Sequence, residues 1–102
     1  MTVTPRRCSK RWLDGDCPKG VLAILDDPRT IDRYTVIYAD VFEGHVSYVA
    51  MNAAPFHPQG FGQHGEMTTW QAARYRYANK HRYAKWSSLP EDCKKLVRQD
   101  LA

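Results

Sequence analysis

Two runs joined by a tight turn set the fold class. Tyr34-Thr35-Val36-Ile37-Tyr38-Ala39-Asp40-Val41 and His45-Val46-Ser47-Tyr48-Val49-Ala50-Met51 are rich in β-branched and aromatic residues, which suit a pleated, half-buried surface. Glu43-Gly44 stands between them, and a turn that short joins antiparallel neighbours. In the first run Tyr34, Val36 and Tyr38 share one face while Thr35, Ile37 and Ala39 share the other. Apolar groups on both faces predict a central strand. Gly20 opens a third run, Val21-Leu22-Ala23-Ile24-Leu25, closed by Asp26-Asp27-Pro28-Arg29-Thr30. Its length and its Pro-containing turn predict a buried strand.

After the hairpin, Pro55-Phe56-His57-Pro58-Gln59-Gly60-Phe61-Gly62-Gln63-His64-Gly65-Glu66 reads as one long loop spanning Asn52 to Glu66. Connectors are ordinarily shorter, polar and poor in aromatics. A structural account covers much of it. Phe56 and Phe61 would anchor in the core, Pro55 and Pro58 hold extended backbone, and Gly60, Gly62 and Gly65 would allow positive φ. Gln59 and Gln63 would satisfy bare backbone groups.

Thr68 to Asn79 predicts a helix capped by Thr68 or Thr69, with Trp70, Ala73 and Tyr77 as its apolar side. The alternation through Arg74-Tyr75-Arg76-Tyr77 keeps a strand as the alternative. His81 to Trp86 alternates and is expected as a fourth strand. Ser88-Leu89-Pro90-Glu91-Asp92 is a helix start, with Pro near the first helical position and acids at the positive end of the dipole. Cys93, Leu96, Val97 and Leu101 form its apolar stripe, and Lys94, Lys95 and Arg98 its solvent side. The expected fold is therefore α+β: a small antiparallel sheet of three to four strands, a C-terminal helix, and one helix after the long loop. Residues 1–19 are expected as an irregular arm with one turn anchored by Trp12, and residues 20–102 as a single domain.

At 102 residues one core is the expectation. Six Tyr, three Trp and three Phe make that core aromatic-heavy, and aromatics bury much area per residue. Three cysteines without a CxxC pair argue against a structural zinc site. The opening Met1-Thr2-Val3-Thr4-Pro5-Arg6-Arg7 has no apolar stretch behind it, so no signal peptide is expected, and reduced thiols in a cytoplasm follow. No run approaches membrane-spanning length.

Three kinds of chemistry are open to the loop and its neighbours. His57, His64 and Glu66 are permissible metal ligands or a general base with its orienting carboxylate, which would make a metal-dependent hydrolase. No nucleophile motif accompanies them, and no metal or other cofactor is expected. Basic and aromatic residues interleave from Arg74 to Trp86, and Arg74, Arg76, Lys80, Arg82 and Lys85 could neutralise phosphates while neighbouring rings stack on bases. A net charge of +4 is modest for that role. The remaining reading is recognition of a protein by the loop's outer edge, through His57, Gln59, Gln63, His64 and Glu66.

The loop His57-Pro58-Gln59-Gly60-Phe61-Gly62-Gln63-His64-Gly65-Glu66, followed by a basic segment ending in Trp86 and by Leu89-Pro90-Glu91-Asp92-Cys93-Lys94-Lys95-Leu96-Val97, resembles a group of small bacteriophage- and prophage-encoded proteins. The likeness runs from Tyr34 to Leu101. It implies an accessory factor acting in the cytoplasm of an infected bacterium, and carries no catalytic residues across. The expectation is a non-enzymatic binder of a host protein, monomer or homodimer, with nucleic-acid binding and hydrolysis as alternatives.

Overall fold

A computed structural model describes residues 6–102. The first five residues of the expected arm lie outside the described residues. The fold is α+β. Four antiparallel strands, β1 (Val21–Asp26), β2 (Tyr34–Phe42), β3 (His45–Met51) and β4 (Gly62–Thr68), form a sheet in the order β1-β2-β3-β4. Helix α1 (Thr69–Ala78) follows β4 directly, and α2 (Glu91–Asp100) ends the ordered elements.

The predicted hairpin is present. Phe42 pairs with His45 across Glu43 and Gly44, whose φ values of 50° and 75° are left-handed. That is the mirror-image turn that matches strand twist, and it favours glycine at the second position. β2 is central and alternates as expected. Tyr34, Val36 and Tyr38 join Trp86, Cys93 and Val97 on one side, while Ile37 joins Leu22, Leu25 and Ala72 on the other. Helix α2 therefore covers one face of the sheet and α1 the opposite face.

Several expectations are corrected. The fourth strand is Gly62–Thr68, and His81 to Trp86 is not a strand. Residues Lys80–Arg82 and Trp86–Ser88 are single 3-10 turns, and Tyr83 makes one bridge to Leu25. The segment runs extended beside β1, which gives it an alternating appearance without a ladder. The long loop closes at Phe61, so Gln63, His64 and Glu66 lie in β4. Helix α1 has the predicted Thr68 cap, but its buried residues are Thr69 and Ala72. Trp70 and Tyr77, expected inside, are 59% and 74% exposed. On α2, Cys93 and Val97 are buried as expected. Lys94 and Arg98 do not simply solvate: their charges lie 5.8 and 5.6 Å from the Trp86 ring centroid.

The arm is irregular, and Leu13 rather than Trp12 is its buried anchor. It is tied firmly to the rest. Trp86 donates its indole proton to Asp16 at 2.8 Å, Asp14 accepts from the Ser87 hydroxyl at 2.7 Å, and the Cys8 amide donates to Leu22 at 2.9 Å.

Candidate functional site

Strand β4 is an edge with its outer side open. The amide of Asn52 donates to Phe61, and the amide of Thr69 to the carbonyl of Gly44. Even-numbered residues of this region therefore direct their backbone groups from β3 towards β4. Antiparallel ladders alternate bonded and non-bonded pairs. Met67, Gly65 and Gln63, opposite Val46, Tyr48 and Ala50, are then the bonded positions. The N–H and C=O groups of Gly62, His64 and Glu66 point away from the sheet.

The other edge is closed. Cys8 donates to Leu22, Ala84 donates to Ile24, and Tyr83 bridges Leu25. Nothing equivalent lies along β4 among the described residues. Edge strands are commonly blunted by Pro, Lys or a bulge. β4 contains neither residue, and its pairing with β3 runs through seven consecutive pairs without a register shift. The β1–β2 and β2–β3 ladders both carry such shifts.

The side chains of β4 divide by face. His64 and Glu66 lie opposite Val49 and Ser47, on the side covered by α2. Gln63 lies opposite Ala50, on the α1 side. The five residues expected to form one recognition edge are thus separated. His57 and Gln59 stay in the loop, where the Nδ1 of His57 accepts from the Gln59 amide at 3.1 Å. His57 is a local loop cap.

His64 has a partner that sequence reasoning missed. Its Nε2 lies 2.9 Å from Oδ2 of Asp100, and the same oxygen accepts from the hydroxyl of Tyr38. Burial first, and that hydrogen bond second, raise the pKa of the Tyr38 phenol, so it remains a donor. The His64 side chain is 55% exposed. Asp100 sits in α2, and no spacing in the chain signals its approach.

Two of the three glycines of the expected loop, Gly60 and Gly65, act by close approach. None of the three has positive φ; the glycines that do are Gly15 and Gly44. A Cβ at Gly60 would stand 1.9 Å from the carbonyl oxygen of Ala54, and one at Gly65 would stand 2.5 Å from the Tyr48 hydroxyl. The Tyr48 ring covers Gly65 on the edge strand, an aromatic laid over an edge glycine. The loop's entry is held by Cys93, whose thiol donates to the Asn52 carbonyl at 3.2 Å. Phe56 is no core anchor: it is 45% exposed beneath the Lys95 ammonium.

The other expected sets come apart as well. Among the described residues no three His, Cys, Asp or Glu side chains are grouped to hold a metal ion, so His57, His64 and Glu66 are not a ligand set. Of the five basic residues, Arg76 donates to the Tyr83 hydroxyl, the Arg6 carbonyl and the Cys8 sulfur. Arg82 is paired with Asp27. Arg74, Lys80 and Lys85 remain exposed, with Lys80 lying over Tyr77. A polar cleft of about 130 Å³ between the β1–β2 turn and α1 includes Asp27, Arg33 and Arg82. Three of its four charged residues already pair within the chain, Arg33 with Asp26 and Arg82 with Asp27, and only Asp32 has no ion-pair partner among the described residues. Among the described residues no helix is long and apolar enough to cross a membrane.

No protein-family model, no curated protein and no solved structure matches the chain.

Proposed function

We propose that this chain is a non-enzymatic binding module of bacteriophage type, which captures a host protein in the bacterial cytoplasm by adding one of its strands to β4. The open edge carries the reading. Its outward N–H and C=O groups offer a ladder to an extended segment, and His64 and Glu66 on one face and Gln63 on the other can select among side chains. Trp70, in the first turn of α1 directly after β4, adds an exposed aromatic next to the end of the strand. The phage assignment rests on the resemblance of the loop and of the Leu89–Val97 segment.

Glu66→Pro tests the edge directly. The N–H it removes points outward, so the ladder to β3 is left whole, and proline is tolerated on that side of an edge strand. The variant should keep its circular dichroism spectrum and lose about tenfold or more in capture of its host protein, as expected when a strand-addition ladder is broken. Capture equal to that of the wild type would sink the assignment of β4.

A further inference from the structure

The edge sequence is complementary to itself. Around Gly65 the order is Gln63-His64-Gly65-Glu66-Met67, with His64 and Glu66 on the same face and both at outward-bonding positions. A two-fold axis through Gly65 would set His64 of one copy opposite Glu66 of the other, twice. In that register each His64–Glu66 pair is a bonded pair and exchanges both backbone hydrogen bonds, while the two Gly65 residues meet at the closer, non-bonded position. Axes through His64 or through Glu66 put like groups together, which is unfavourable between directly opposed residues. Only the axis through Gly65 avoids opposing like groups.

The side chains are prepared for it. Asp100 engages Nε2 of His64, and among the described residues Nδ1 has no partner. Tyr38 donates to the same Asp100 oxygen, so the imidazole is oriented from within its own chain. On the opposite face Tyr48 covers Gly65, so the centre of the contact is flat backbone flanked by two aromatic rings. β4 carries no Pro, Lys or bulge to blunt the approach.

We infer that β4 pairs antiparallel with β4 of a second copy about Gly65, giving a continuous eight-stranded sheet held by reciprocal His64–Glu66 contacts. This inference rests on the reading of β4 as the working edge. The second copy is its resting occupant, and a partner strand must displace it.

Two charge variants of the full chain test the register. Glu66→Arg replaces the carboxylate opposite His64 with a cation, and His64→Glu sets carboxylates opposite each other. Sedimentation from about 10 μM to about 1 mM, the range in which a small interface associates, should show the wild type dimerising with concentration. Each variant alone should associate about tenfold or more weakly, and an equimolar mixture of the two should recover association. Glu66→Arg leaves the Asp100 contact untouched, so its behaviour counts even where His64→Glu perturbs the fold. A wild type that sediments as a monomer throughout overturns the self-pairing, and so does a dimer that Glu66→Arg leaves unchanged. In either case capture of the host protein by wild type and by Glu66→Pro still decides the strand-addition reading separately.

Discussion

Trp86 is the residue on which the arm and α2 converge. It is fully buried, and its indole proton has a carboxylate for a partner, Asp16 Oδ1. The other oxygen of Asp16 meets Arg98 at 2.8 Å. The Trp86 indole first, and Arg98 second, hold the Asp16 carboxyl below its usual pKa. Asp16→Ala would take the acceptor from the Trp86 indole N–H and the partner from Arg98, and should lower stability. Asp16→Asn keeps an oxygen for the indole and loses the charge. Urea titration should therefore place the midpoint of Asp16→Ala well below that of the wild type, with Asp16→Asn recovering most of the difference. Equal losses in both would show that the charge, and not indole satisfaction, is what matters. The same bond explains how an arm with few apolar residues is held: Asp14 and Asp16 cap polar groups of Trp86 and Ser87, a role that composition cannot reveal.

Helix α1 depends on its ends more than on its side. It buries only Thr69 and Ala72, whereas its N-terminus has a complete capping box, with the Gln71 amide donating to Thr68 Oγ1 at 3.0 Å and the Thr68 amide to Gln71 Oε1 at 2.8 Å. Thr68→Ala should cost about 1 kcal/mol. Because so little packing resists opening, the loss should appear as faster amide hydrogen exchange along Thr69–Ala78 than along β2. Unchanged exchange in α1 would mean that packing holds it after all. The cap was legible in the sequence because a cap is local chemistry. The buried side was not, since Trp70, Ala73 and Tyr77 have helical spacing yet lie on the flank away from Ala72. β4 was hidden for a related reason. Gly62-Gln63-His64-Gly65-Glu66 lacks the β-branched residues that mark a strand, and it is ordered by pairing with β3 and by the Tyr48 ring. β2 and β3 were readable because alternation and a Glu-Gly turn are written in neighbouring residues. The candidate site needed Asp100, which lies 36 positions from His64 and approaches only through the packing of α2 on the sheet.

At the scale of the molecule, the core beneath α2 holds its ionisable groups in their neutral forms. Burial, the largest cause in each, pushes the thiols of Cys17 and Cys93 up to about 11, and it raises the phenols of Tyr34 and Tyr38 as well. The three cysteines are free, and the raised values make Cys17 and Cys93 poor nucleophiles near neutrality. Folding therefore retains protons that the unfolded chain releases. The stability this supplies is fully present below the ordinary thiol value of 9.0 and is lost as pH rises through about 11. Asp14 and Asp16 act in the opposite window. Hydrogen bonds from Ser87 and Trp86 lower their values from 3.8, so their contribution is present above that pH and fades as pH falls below it. Urea midpoints should thus be level across neutrality and fall on both sides. Between about pH 8 and pH 10.5 the decline should amount to roughly 1–2 kcal/mol for the buried Cys93 and to less for Cys17, which is only partly buried and so screened by solvent. The Cys17→Ala/Cys93→Ala variant should begin less stable, because alanine leaves part of the thiol's space empty, yet decline less steeply over the same interval. Equal alkaline slopes in the wild type and the double variant would place the titrating groups elsewhere, with the phenols of Tyr34 and Tyr38 next to be examined.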